Sequence, residues 1–487
     1  MPRPGVQLLR AGVVGLLVSE LAALPAHAQA GPTPVPPAPG FTRYHILRGE
    51  ENFGFLRQDS LRTDLFDPLK YIPLGRRPGY FLTLGADIRY QYEVITHDYW
   101  GRGQLADTPP TNAYLLQRHM VHTDWRLGSH LRLFGQLLST NELGRRGGPR
   151  PYIDRDIFDV YQAFVEVAAP LGQAQATLRV GRQEFLYGSE RLLSMREGPN
   201  TRQSFDAARL QLTRPGWRLD MLVGRPLLTN PNALDDRGDP QQLLWGAYGA
   251  RTLARLHGGL DFYYFGLNRH NAFYLQGIGH EQRQTGGVRW WASPAPFGYD
   301  IEAIGQFGRF NSGTIRAYYV SAALFCQLAN WPLTPTLRFT TNAISGDQDP
   351  RNPDLQAFNA LFPRPFFGAA NTPIGPGNLL DAHPGVELHL TPRMKVVVDV
   401  DWLWRQSLGD GLYGPNIIPV VPQDGPGAPL PTSRYIGQQF SADWNWQASR
   451  HFALDFTYSL LPAGAYLQAT TPGLTLSYYK PTLLFQF

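Results

Sequence analysis

The residues best suited to chemistry in this sequence are guanidinium and carboxylate groups set at every second position of otherwise apolar runs. Between Tyr80 and Ile95 (YFLTLGADIRYQYEVI), the apolar Leu82, Leu84, Ala86, Ile88, Tyr90, Tyr92 and Val94 alternate with Thr83, Gly85, Asp87, Arg89, Gln91 and Glu93. Val396, Val398, Val400, Trp402 and Trp404 alternate in the same way with Lys395, Asp399, Asp401 and Arg405. Following this parity down the chain collects a basic set: Arg89, Arg118, Arg132, Arg179, Arg209, Arg289, Arg338, Lys395 and Arg405. Asp87, Glu93, Glu166, Asp399 and Asp401 form an acidic set on the same side. The chemistry these types offer is non-covalent. A planar guanidinium fork grips a carboxylate through two parallel hydrogen bonds. Interspersed acids loosen that grip, so that a bound anion can leave again. The same pattern also fits a purely structural role, with Arg and Asp pairing across neighbouring strands.

The elements that must carry these residues follow from the period. Alternation of two is the signature of a strand with one apolar and one wet face. Eighteen such segments are predicted: 81–96, 115–127, 130–140, 159–168, 175–184, 204–213, 217–226, 243–253, 258–267, 282–292, 298–308, 314–328, 334–345, 384–391, 394–405, 435–447, 451–460 and 475–487. Gaps after even-numbered segments are short, as at Gly128-Ser129, Pro215-Gly216 and Pro392-Arg393. Gaps after odd-numbered segments are mostly long, as at 141–158, 185–203, 346–383 and 406–434. Short turns at one end and long loops at the other define an antiparallel transmembrane β-barrel. In lipid every backbone polar group needs a partner, and a closed barrel supplies one. Sixteen to eighteen strands leave a channel inside. The basic and acidic sets then face the lumen, as pore-lining and anion-binding candidates.

Composition agrees. Charged residues are 17% and aromatic residues 13% of 487, with a net charge of only +5. Such a charge gives no reason to expect a nucleic-acid partner. A single cysteine, Cys326, excludes a disulfide scaffold. Residues 1–28 read as a secretory signal peptide: Arg3 and Arg10, an apolar run from Ala11 to Val18, and the A-x-A site Ala26-His27-Ala28. Residues 29–79 read as a Pro-rich linker and periplasmic N-terminal segment, and 80–487 as the barrel. The expected location is the outer membrane, in contact with lipid and lipopolysaccharide. Residues 31–79 offer a place for a periplasmic partner. The run ending at Phe487 is similar to the signal read by the barrel assembly machinery.

One stretch is more specific than periodicity. Gly181 to Leu210 (GRQEFLYGSERLLSMREGPNTRQSFDAARL), with Ser345-Gly346-Asp347, Gly375-Pro376-Gly377-Asn378 and Asp401 to Asp410 (DWLWRQSLGD), resembles the alginate-export family of outer-membrane porins. The resemblance covers about residues 44–487. It implies an eighteen-stranded monomeric barrel and passage of an anionic uronate polysaccharide or oligosaccharide. Some members serve instead as porins for other small solutes. Within the motif, Arg182, Glu184, Arg191, Glu197 and Arg202 could form a mixed charge network that folds the 185–203 loop into the lumen, or one that only rigidifies the rim.

Other chemistry finds no support. No H-E-x-x-H, G-x-S-x-G or G-x-x-x-x-G-K motif occurs, so a channel is expected, with no enzyme activity, cofactor or metal. Asp347, Asp349 and Asp354, like Asp235, Asp236 and Asp239, could offer oxygen ligands to Ca2+, but their spacing is not that of an EF-hand and they read rather as solvated loop acids.

Overall fold

The computed structural model describes residues 44–103, 108–293, 296–364, 373–415, 417–421 and 430–487. The expected signal peptide, 1–28, lies outside the described residues. Where the sequence alternates, the backbone is extended and its two faces differ. From Tyr80 to Thr96 the odd positions are buried, while Tyr90 and Tyr92 are exposed.

Eighteen strands close on themselves. They are β1 (Tyr80–Thr96), β2 (Thr111–Leu127), β3 (Leu131–Leu143), β4 (Asp156–Leu171), β5 (Ala174–Gln183) and β6 (Phe205–Arg214). Next come β7 (Trp217–Leu228), β8 (Gln242–Leu253), β9 (Gly258–Tyr274), β10 (Gly277–Ala292), β11 (Phe297–Phe310) and β12 (Gly313–Gln327). The last six are β13 (Thr336–Ile344), β14 (Leu379–Thr391), β15 (Met394–Trp404), β16 (Tyr435–Gln447), β17 (Phe452–Leu461) and β18 (Leu476–Gln486). Each pairs antiparallel with its sequence neighbour, and β1 pairs with β18, as in Asp87↔Gln486 and Ile95↔Tyr478. The barrel sheet thus closes without an open edge among its described strands, which is the condition for a strand in lipid. The short turns contain Gly128 (φ 80) and Gly216 (φ 73), where the chain needs the left-handed conformation.

The predicted alternation of loop length has two exceptions. β9 and β11 run on to tight turns at 275–276 and 311–312. The gap expected at 268–281 is therefore mostly strand. Asn268, Arg269 and Glu281 sit in its ladder and disguised the alternation there. The outer face is a band of exposed apolar side chains, among them Val165, Val180, Val288, Val320 and Val398. Trp125, Trp217, Trp290 and Trp402 are exposed with them, as interfacial aromatic girdles require.

The two larger apolar clusters inside the barrel lie at its opposite ends, and a small one joins Met120, Leu138 and Tyr161. A large apolar cluster includes Trp100, Tyr114, Phe185, Phe205, Tyr274, Tyr319, Phe358 and Tyr413, and it forms where the long loops fold against the wall. A smaller cluster of Tyr44, Phe53, Leu56, Tyr71 and Phe81 lies at the short-turn end. There the segment 44–79 enters the barrel mouth and clasps the β1–β18 seam. Arg48 Nη2 donates to the Phe487 carbonyl at 2.6 Å, and Phe66 stacks on the Phe487 ring at 4.7 Å. Lys70, fully buried, donates to the Leu84 carbonyl at 2.7 Å and lies 5.2–5.3 Å from the rings of Tyr44, Phe53 and Phe487.

Candidate functional site

Among the described residues three pieces of chain fold into the lumen, and the first two are pinned by residues of the alternating charged set. The first is the N-terminal arm. Arg132 Nη1 donates to the Gly49 carbonyl at 2.7 Å, and Arg126 Nη2 donates to that of Glu51 at 2.6 Å. Glu50 Oε1 accepts from Arg179 Nη1 at 2.9 Å and from Arg209 Nη2 at 3.2 Å. Burial alone would raise the Glu50 carboxyl. The guanidinium groups of Arg179 and Arg209 outweigh it and hold the pKa at about 2. Arg179 also pairs with Glu166 at 2.6 Å and stacks on the Phe164 ring at 4.2 Å. Arg132 forms a two-pronged pair with Asp124, at 2.7 and 3.0 Å.

The second piece is the 184–204 loop, which turns into the barrel and crosses it. Arg182, at its base, pairs with Asp206 at 2.9 Å. Glu184 is buried and accepts from the Tyr161 hydroxyl at 2.6 Å. Arg191 reaches the far wall, 2.7 Å from Glu302 on β11. Glu197 meets Arg118 on β2, Arg89 on β1 at 3.4 Å, and Arg202 of its own loop. Burial works to raise the Glu197 carboxyl, but Arg118, Arg202 and Arg89 hold it well below the usual range. Arg202 Nη1 also donates to the Ile46 carbonyl at 3.3 Å, so the loop and the arm touch.

The third piece is the 345–364 part of the loop that follows β13. It pairs with the second through mutual backbone bonds of Leu192, Ser194 and Phe362. It docks on β10 and β11 through Asn359, which donates to the buried Glu281, and through Gln306, which donates to the Asn359 carbonyl at 2.6 Å.

These occupants leave a cavity of about 500 Å³ along the β13–β18 wall and β1. Its charged lining is balanced: Arg89, Arg338, Arg364 and Lys480 against Glu197, Asp399, Asp443 and Asp455. Gln91, Thr340, Asn445, Thr457 and Thr482 lie between them. Arg338 and Lys395 each approach Glu387 Oε2 at 3.4 Å, and both side chains are 43% exposed. Arg364 is more open still, at 58%. A second cavity of about 490 Å³ lies on the loop side, lined by Glu93, Arg150, Arg196 and Tyr478 among others. Gly198 borders both cavities, so the tip of the 184–204 loop divides them.

The sequence-derived residues thus part into groups. Arg89, Arg338 and Asp399 line the open cavity. Arg118, Arg132, Arg179 and Arg209 are buried against the arm or the crossing loop. Arg289 pairs with Asp300 at 2.6 Å and Asp261 at 3.1 Å. Asp87 accepts from Gln486 at 2.8 Å, and Glu93 from the Tyr114 hydroxyl at 2.5 Å. Asp401 is buried on the same face of β15 as Asp399, which pairs with His383 at 3.1 Å. Arg405 needs correction as a pore-lining residue. β15 ends at Trp404, and the buried Arg405 donates to the Ser433, Pro431 and Asp410 carbonyls while stacking on Tyr466 at 4.1 Å. It binds the 405–434 loop because the strand runs out one residue too early for the alternation to hold. Glu50 was missed, since it lies outside any alternating run. Lys480 was legible: it has the parity opposite to Tyr479 and Leu483.

A closed eighteen-stranded barrel with an apolar outside, a polar interior and an internal cavity defines an outer-membrane channel. The alginate export family matches residues 80–475, and the chain belongs to that family. Solved structures share the fold at low identity. Acinetobacter baumannii OccAB4 aligns at 9% identity, TM-score 0.55, over 83% of this chain and 98% of its own. Pseudomonas aeruginosa OccK9 (OpdG) gives 10% and 0.55 over the same shares, and Pseudomonas aeruginosa OpdO 10% and 0.52, over 83% and 97%. No curated protein is a significant match.

Proposed function

We propose that the protein is a passive channel for anionic, hydroxyl-rich solutes of the sugar-acid class, passing as short oligomers or as one extended chain. The lining of the open cavity carries this reading. Arg338 and Arg364 present exposed guanidinium groups to it, and Arg338 and Lys395 share the single carboxylate of Glu387. Guanidinium suits a uronate carboxylate. The amides and hydroxyls of Gln91, Thr340, Asn445, Thr457 and Thr482 suit sugar hydroxyls. The interspersed acids keep binding weak enough for release. The remaining basic residues of the alternating set would act indirectly, by holding the arm and the crossing loop that shape the path.

A second reading, a small-solute porin without a polysaccharide role, draws on the narrowness of the lumen. The arm and two loops leave a cavity of about 500 Å³. Liposome swelling separates the two. Entry of uronate oligomers at rates comparable to monosaccharides supports the first. Entry of monosaccharides alone supports the second. We further propose that residues 1–28 direct export and are removed, that the strand ending at Phe487 is read by the barrel assembly machinery, and that the barrel works as a monomer.

A further inference from the structure

We infer that the long-loop rim between the start of β4 and the 229–241 loop is a divalent-cation site of the calcium type, formed by Asp156, Asp159, Asp235 and Asp236. One carboxylate oxygen from each of Asp159, Asp235 and Asp236 lies within 4.8 Å of the others. Alone, such a cluster would be a solvated acidic patch. Asp156 makes it more than that. Its side chain is fully buried, neither carboxylate oxygen has a hydrogen-bond partner, and it lies close enough to feel the charges of Asp236, Asp159 and Asp235. Asp235 Oδ1 is likewise buried without a partner. Buried charges of one sign persist only when something of opposite sign compensates them.

The protein supplies little of that compensation. Arg182 reaches Asp159 at 3.4 Å but is held more closely by Asp206, at 2.9 Å. Among the described residues no Lys or Arg forms an ion pair with Asp156, Asp235 or Asp236. The loop is already fixed in place by its backbone. Leu234 N donates to the Phe158 carbonyl at 2.9 Å, and Asp236 N to Asp159 Oδ2 at 3.0 Å. Asn230 ties the loop to itself through Asp236 Oδ1 at 2.7 Å and the Asp235 carbonyl at 2.8 Å. The carboxylates of Asp159, Asp235 and Asp236 therefore converge before any ion arrives, with Asp156 on the same buried face of β4 as Asp159.

The ligand chemistry selects the ion. All donors are hard oxygens, and calcium accepts six to eight of them in irregular geometry, whereas magnesium demands a regular octahedron. Four carboxylates with one or two waters satisfy the larger ion. A cation here would staple the 229–241 loop to β4 on the outer side of the membrane. Sites on extracellular modules commonly bind calcium with a dissociation constant of about 0.1–1 mM, and that range is expected.

The test is calorimetric titration of calcium chloride into the purified, folded, chelator-stripped full-length barrel in detergent. The wild type should bind one calcium in that range. Asp156→Asn and Asp235→Asn should each weaken binding at least tenfold while keeping the heat-modifiable folded band, and Asp349→Asn should leave it unchanged. If Asp156→Asn does not fold, Asp235→Asn, in a partly exposed loop, decides. The inference is overturned if the folded wild type binds no calcium at about 10 mM. It is equally overturned if every folded variant of these two positions binds as wild type does.

Discussion

Replacing Arg338 and Lys395 together by Ala asks whether the exposed basic residues face the conducting path. Both guanidinium and ammonium sit 3.4 Å from the same Glu387 oxygen, so this patch carries two positive charges and one negative. The double variant leaves the carboxylate alone, and the local charge goes from +1 to −1. A monovalent ion passing about 6 Å away in water-like dielectric feels each charge with about 0.7 kcal/mol. Screening at 0.1 M salt reduces this by nearly half, so the two charges together are worth about 0.8 kcal/mol. The anion is disfavoured and the cation favoured by that amount, so the anion-to-cation permeability ratio, read from the reversal potential across a salt gradient in planar bilayers, should fall roughly tenfold at 0.1 M. The fall should be larger at lower salt. Glu387→Gln should shift the ratio the other way by about half as much in free energy. Both side chains are nearly half exposed, so the folded band should survive. A permeability ratio unchanged at low salt, in a folded barrel, would refute the placement of these groups on the path.

Glu50→Gln removes the carboxylate that bridges Arg179 and Arg209. The loss should weaken docking of the arm by about 1–2 kcal/mol, given its partial exposure, with faster tryptic cleavage at Arg57 and higher conductance. Asp347 and Asp410 couple two outer loops through the Asp347 N–H and Asp410 Oδ2, at 2.8 Å. Burial, reinforced by the Asp410 charge, raises Asp347 to about 7, and burial raises Asp410 to about 6. The folded loops thus bind protons more tightly than the unfolded ones, so their stability should fall as pH rises from about 4 to 7 and stay low above that. Tryptic cleavage at the exposed Arg351, corrected for protease activity, should accelerate over that interval, and Asp347→Asn should flatten the profile. Val397 and Val398 are chain neighbours on opposite faces, one lining the cavity and the other 44% exposed outside. Val398→Lys should cost about 2–4 kcal/mol in lipid if it sits near the midplane, whereas Val397→Lys should fold normally, as read by urea titration in liposomes.

The barrel was legible because lipid imposes a rule that acts on every strand. The outer face must be apolar and the backbone fully paired, so the period of two persists even where composition varies. All eighteen strands could be placed this way, most within a few residues. The 268–281 segment failed because polar residues occupy both faces of a strand that projects beyond the apolar band. The interior was less legible. Parity shows that Arg179 and Arg338 both point inward, but not that Glu50 waits for one while the other stays open. That difference is set by chain segments folding into the lumen from outside the strands, and nothing periodic marks them. The mixed charges from Arg182 to Arg202 allow both an inward loop and one that only stiffens the rim, and no periodicity chooses between them.

The most direct test of a channel for anionic sugar-acid chains is planar-bilayer recording of the wild-type protein with and without purified oligouronates. A steady ohmic conductance, reduced in a concentration-dependent way by the oligouronate and not by an equally sized neutral oligosaccharide, is the expected result. No conductance, or a conductance to which the uronate makes no difference, would contradict it.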